Sequence, residues 1–168
     1  TDTIHAEYFA RLIATELDAA LLPAQAIATS LEHTGFRGTF SLRPETLMQV
    51  VRDLADEAER QNFRILVVVN GHGGNFCLVP VCRDLNRLDR KLKVLLVSPH
   101  EFCDAGLTES PGKGLPDIHA GESETSRLLA EKPEAVRPSG PGPRLAQGFI
   151  RSDLTTFGVG HFNPAGAC

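Results

Sequence analysis

Arg64-Ile65-Leu66-Val67-Val68-Val69-Asn70-Gly71-His72-Gly73-Gly74-Asn75 decides how the chain is read. A short, β-branched apolar run stops abruptly and gives way to a glycine-rich loop that holds one histidine. The run Ile65 to Val69 suits a strand buried on both faces of a parallel sheet. Ligands of open α/β sheets sit beyond the carboxyl ends of the strands, so His72 stands where chemistry is expected. Gly71, Gly73 and Gly74 let the backbone approach a ligand closely. Asn70 and Asn75 are candidates to bind the loop backbone or a ligand.

Working outward, Pro44 to about Asn62 reads as the helix before this strand, with Pro44 at its start and Leu47, Val50, Val51, Leu54 and Ala58 on its inner face. Phe76 to about Leu88 reads as the helix after it, and Lys93 to Val97 as the next strand. Upstream, Thr3 to Leu17 has apolar Ile4, Tyr8, Leu12 and Ile13 at helical spacing, with Thr1, Asp2 or Thr3 as cap. Leu21 to Ala28 reads as a short strand despite Pro23, and Thr29 to Phe40 as a loop. Downstream, Pro99 to Ile118 is a long Gly- and Pro-rich loop of the kind that walls functional sites. A helix over about Gly121 to Glu131 ends before Pro133, and Pro138 to Cys168 reads as irregular. Strands alternating with helices predict an α/β domain with a mainly parallel sheet.

The 168 residues predict one domain with a sizeable core. A formal charge of −4 gives no basic footprint for nucleic acid, and no apolar run approaches the length of a membrane span. Cys77, Cys82, Cys103 and Cys168 lack CxxC spacing and read as reduced thiols of a cytoplasmic protein.

Chemistry concentrates in three places: Asp2, His72, and His119-Ala120-Gly121-Glu122-Ser123-Glu124-Thr125-Ser126. Imidazole with carboxylate is the usual donor set for zinc, manganese or iron(II). At about 100° per residue, Thr125, Leu128 and Leu129 define the predicted buried face of the last helix. Glu122 falls nearer that face than Glu124, which makes Glu122 the metal-ligand candidate and Glu124 a group that supports the site or touches substrate. His119, just before the helix, suits a general acid or base. Each residue also has a plainer reading. His72 alone is a structural loop histidine, Asp2 a helix cap, Glu122 and Glu124 first-turn acids favoured by the helix dipole, and Glu32 and His33 loop hydrogen-bonders. His5 and His161 stand out only by side-chain type. The Asn70 loop lacks the Gly-Lys-Ser/Thr of a nucleotide-binding loop. Gly121 to Thr125 falls one residue short of the serine-hydrolase elbow and follows no predicted strand.

Asn70-Gly71-His72-Gly73-Gly74-Asn75 and His119 to Ser126 together resemble the two signatures of the creatininase (creatinine amidohydrolase) family. Thr1-Asp2-Thr3 resembles the end of its N-terminal motif. Ser30-Leu31-Glu32-His33 with Phe36-Arg37-Gly38-Thr39 resembles its Ser-x-Glu-His…Phe-Pro-Gly-Thr segment. The resemblance implies a three-layer α/β sandwich around a mostly parallel sheet, in a homo-oligomer, often a hexamer. It implies hydrolysis of a non-peptide or cyclic amide C–N bond by metal-bound hydroxide, with two divalent ions (Zn, Mn or Fe). Carried over residue by residue, Asp2 would bridge the metals, His72 and Glu122 would be ligands, and His119 would shuttle the proton to the leaving nitrogen. Ser30 and His33 would lie near substrate. The chain carries neither the family's upstream Glu-x-His-Gly segment nor its C-terminal end, so a single, incomplete family domain over residues 1–168 is expected. There is no Trp, and Gly73-Gly74 replaces the Tyr-Glu pair of true creatininase, which argues against creatinine as substrate. The alternatives are a catalytically incomplete relative acting in binding or assembly, and a peptidase of small-peptide maturation.

Overall fold

The computed structural model describes residues 1–99, 119, 121–137 and 156–161. Its regular elements are α1 (Asp2–Glu16), α2 (Pro44–Arg60), β1 (Ile65–Val69), α3 (Leu78–Arg87), β2 (Lys93–Val97) and α4 (Glu122–Glu131), with 3-10 turns at Leu31–His33, Pro133–Ala135 and Val159–His161. Among the described residues no helix is long and apolar enough to cross a membrane.

β1 and β2 pair in parallel, Ile65 opposite Lys93 through Val69 opposite Val97. The ladder continues one step past β1, where the Asn70 N–H donates to the Val97 carbonyl at 2.8 Å. Alternate residues of a strand point to opposite faces. Val94 is buried, and Leu66, Val68 and Leu96 pack against the same core of Leu47, Val51 and Ala55 from α2 with Leu78, Val81, Cys82 and Leu85 from α3. Of the predicted inner face of α2, Leu47 and Val51 are buried there and Ala58 packs against them, whereas Leu54 is exposed and Ala55 takes its place in the core. Parallel strands flanked by helices fix the α/β class. Cys77 and Cys82 are buried free thiols; Cys103 and Cys168 lie outside the described residues.

Side chains satisfy the exposed ends of this unit. The Asn86 amide mimics a strand partner: its Nδ2 donates to the Val94 carbonyl at 2.7 Å and its Oδ1 accepts the Val94 N–H at 2.8 Å. Glu59, near the end of α2, accepts the Lys91 N–H at 2.8 Å and takes an ion pair from Arg90 at 2.8 Å. These bonds place the start of β2 beside the end of α2.

Three expectations are corrected. Leu21 to Ala28 is not a strand: it carries no ladder. It borders, with α1, α2 and β1, an open apolar groove of about 1200 Å³. β1 is consequently not buried on both faces, since Ile65 at its start is exposed. The predicted inner face of α1 is also displaced, because Tyr8 and Leu12 are 44% and 46% exposed while the buried residue is His5, at 7%. Pro99 to Ile118, apart from Pro99, and most of Pro138 to Cys168 lie outside the described residues.

Candidate functional site

The strand-end loop is built by its asparagines. Asn70 Oδ1 accepts the His72 N–H at 3.2 Å and the Asn75 Nδ2–H at 3.0 Å. Asn75 Oδ1 in turn accepts the backbone N–H of buried Thr29 at 3.1 Å and its hydroxyl at 2.9 Å. Both asparagines are thus committed to the loop, and they tie it to the segment that carries Ser30, Glu32 and His33. Gly71 lets α1 approach from the other side: a Cβ there would run into the Asp2 carbonyl and lie 3.0 Å from the Ala6 Cβ.

Two neighbours thereby converge on one ring. His72 Nδ1 lies 2.8 Å from Asp2 Oδ2, and His72 Nε2 lies 2.7 Å from Glu32 Oε1. Ser30 Oγ is 3.5 Å from the same Nε2. A neutral imidazole offers one donor, whereas both nitrogens here face carboxylates, which suits the imidazolium. Burial works against that charge, but the Asp2 and Glu32 carboxylates outweigh it and push His72 up to about 9. Burial would raise Asp2 and Glu32, yet their bonds to His72 hold both carboxyls below the usual range.

His33 completes the group. Its Nε2 lies 3.5 Å from Glu32 Oε1, and burial, followed by the neighbouring His119, holds the ring below the usual histidine range. It therefore keeps a lone pair near neutral pH. His119 packs on it with ring centroids 4.3 Å apart. One donor atom from each of Glu32, His33 and His72 fits within 4.8 Å of the others. Glu32 Oε1 is buried and makes no well-directed hydrogen bond among the described residues, so its closeness to His72 is an ionic contact. The loop leaves room for this: a Cβ on Gly74 would collide with both Glu32 Oε1 and His72 Nε2, whereas one on Gly73 would meet nothing within 4 Å.

The donor set suits a divalent cation: carboxylates poised to accept positive charge, imidazoles that can present a lone pair, and a buried oxygen lacking a directed partner. Asp2, His72, Ser30, His33 and His119 come together. Asp2, despite its first-turn position, turns its carboxylate to His72, and α1 has no side-chain cap. Glu32, which the sequence offers as a loop hydrogen-bonder, instead faces His72; its sequence signal is adjacency to His33 within the Ser-x-Glu-His segment. On α4 the expected inner face is shifted: Leu128 is buried, Thr125 and Leu129 are exposed, and Glu124 is half-buried. The more buried stripe of α4 runs through Glu124, Leu128 and Glu131. The Glu122 side chain lies outside the described residues.

A family model for creatinine amidohydrolase matches residues 1–168. The chain belongs to the creatininase family. The Mycofactocin precursor peptide peptidase of Mycobacterium ulcerans (strain Agy99) is 34% identical over 145 residues, 81% of this chain and 52% of that protein. The chain spans about half the length of the curated relatives it matches. Among solved structures, a mutant creatininase of Zn-Zn type superposes with a TM-score of 0.67 at 24% identity, covering 98% of this chain and 70% of that one. The structure of Creatininase Mn gives 0.66 at 23%, covering 96% and 69%. The creatininase-like α/β fold expected from the two signatures is thus shown, and the resemblance extends to the family.

Proposed function

We propose that this creatininase-family chain forms part of a metal-dependent amide hydrolase whose substrate is a short peptide. The observation that carries the reading is the convergence of Asp2, Glu32 and His33 on His72, with His119 packed against the group. Asp2, Glu32, His33 and His72 would hold a divalent ion. The family resemblance adds Glu122, a second ion, and a glutamate and a histidine from a Glu-x-His-Gly segment. A divalent ion in such a site polarises a carbonyl and lowers the pKa of water.

The chain's own residues have distinct tasks. Asp2 and Glu32 supply the negative field that favours positive charge at His72. His119 stands beside the group, where a ring nitrogen can deliver a proton to the departing nitrogen. Glu124, half-buried on the helix that follows His119, is assigned to contacting substrate or orienting His119.

A peptide substrate is preferred to a cyclic amide for two reasons. The curated relatives above 30% identity are named peptidases. Gly73 and Gly74 leave those two loop positions without side chains, and these 168 residues hold no Trp to enclose a small ring. The test is elemental analysis of full-length protein purified without chelator, followed by assays on short peptides and on cyclic amides. Stoichiometric transition metal with cleavage of peptides alone supports the reading. Less than about a tenth of an equivalent of metal, with no recovery on adding zinc or manganese, rejects it, because such sites bind their ions tightly. Opening of cyclic amides alone would return the assignment to the non-peptide amidases.

A further inference from the structure

The buried residue of α1 is a histidine, and its partner is 126 positions away. His5 Nδ1 lies 3.2 and 3.1 Å from the two carboxylate oxygens of Glu131, the last residue of α4. Both side chains are 9% exposed. His5 Nε2 is buried and has no hydrogen-bond partner among the described residues. An imidazole with one nitrogen unsatisfied is a costly way to fill an apolar interface, and buried ion pairs are often replaceable by apolar side chains at no loss of stability. What such a pair adds is direction, since a hydrogen bond fixes one orientation where apolar contact allows several.

The two helices carry opposite halves of the candidate site. α1 begins at Asp2, one turn from His5, and α4 begins at Glu122, three positions after His119. A ten-residue helix is a rod of about 15 Å, so its far end controls how its near end is presented. Leu128, one turn before Glu131, is buried along the same stripe and offers apolar contact without direction.

We propose that His5 and Glu131 are positioning residues: their bond sets the angle of α4 on α1 and thereby holds His119 against His33 beside the Asp2–His72 pair. The catalytic weight of the pair rests on the proposed hydrolase function; the geometric part stands apart from it. The pair touches no reacting atom.

The test uses full-length protein and three variants. Replacing both partners by leucine (His5→Leu with Glu131→Leu) substitutes apolar contact for the bond and is expected to fold. Glu131→Gln keeps an acceptor for Nδ1, and Glu131→Ala removes it. The direct readout is the NMR resonance of the His119 ring, displaced by ring currents from His33 in the wild type. It is expected to move toward its unfolded-chain position in the double-leucine and alanine variants and to stay near the wild-type position in Glu131→Gln. In the hydrolase assay the same two variants are expected to lose about 10- to 100-fold in kcat with KM unchanged, as for a misplacement on the order of 1 Å. An unmoved His119 resonance in a folded double-leucine or alanine variant overturns the proposal. Failure of both to fold also overturns it, because the pair is then a structural requirement. A wild-type protein without hydrolase activity leaves the NMR arm to decide the geometry and counts only against the function.

Discussion

His72 lies between two carboxylates: Asp2 Oδ2 is 2.8 Å from Nδ1, and Glu32 Oε1 is 2.7 Å from Nε2. A ring held this way carries a proton at neutral pH, its pKa pushed up to about 9. A metal taking a nitrogen of His72 must displace that proton. Titrating zinc into the metal-free protein at pH 7 is therefore expected to release about one proton from His72, seen as a dependence of calorimetric heat on the ionisation enthalpy of the buffer. Apparent affinity should rise about tenfold per pH unit up to the His72 pKa and then level off. Zinc binding at pH 7 with no proton release would show that His72 is not the ligand.

The same pairing sets the pH dependence of the metal-free fold. His72 has a pKa raised above its ordinary value of 6.5 to about 9. Its contribution is fully present below the unfolded value and is lost as pH rises through about 9. Asp2 and Glu32 are lowered. Their contribution is present above the ordinary carboxylate range and is lost as pH falls through their lowered values. The contribution of this grouping to metal-free stability should thus be greatest between about pH 4.5 and 6.5. The alkaline loss should be on the order of 3 kcal/mol. Urea unfolding in chelator, pH by pH, measures it. His72→Gln should flatten the alkaline limb, and an unchanged limb would place its cause elsewhere.

Local pattern made some of this legible. The strand Ile65 to Val69, the helix after it and the strand Lys93 to Val97 follow from apolar periodicity, and they form with α2 the core of the described residues. Leu21 to Ala28 has strand-like composition, but β-propensity expresses itself only with a neighbouring strand to pair with; the described residues offer it a groove instead. His5 was invisible because its burial depends on Glu131, a contact across 126 positions with no local signature. Glu32 was misjudged for a related reason: a 3-10 turn has no long periodicity from which to read the direction of a carboxylate. On α4, three apolar or β-branched positions suggested a face that tertiary packing rotated toward Glu124 and Glu131.

Asn75 tests whether the loop is held as described. Its Oδ1 is the acceptor for the backbone N–H of Thr29, which is completely buried. Asn75→Ala leaves that N–H without its partner, a loss of about 1–3 kcal/mol. The Thr29 hydroxyl keeps its bond to the Gly74 carbonyl at 2.8 Å, which should confine the damage to the loop. Urea unfolding should show a lower midpoint with an unchanged slope. A midpoint identical to wild type would mean that another group satisfies Thr29.

The two adjacent glycines make the sharpest comparison. At Gly74 an added Cβ would collide with Glu32 Oε1 and His72 Nε2, while at Gly73 it would meet nothing within 4 Å. Neither glycine is at a positive φ, so space rather than backbone strain separates them. Gly74→Ala must push Glu32 or His72 out of place, and displacing the surroundings of metal ligands typically weakens binding by about 10- to 100-fold. Gly73→Ala should change affinity by less than about twofold, because it disturbs no donor. Zinc competition against a chromophoric chelator, run on both variants and the wild type, gives the ratio directly. Equal affinities for the two variants would separate the Glu32–His72 contact from metal binding and leave that contact a purely structural ion pair.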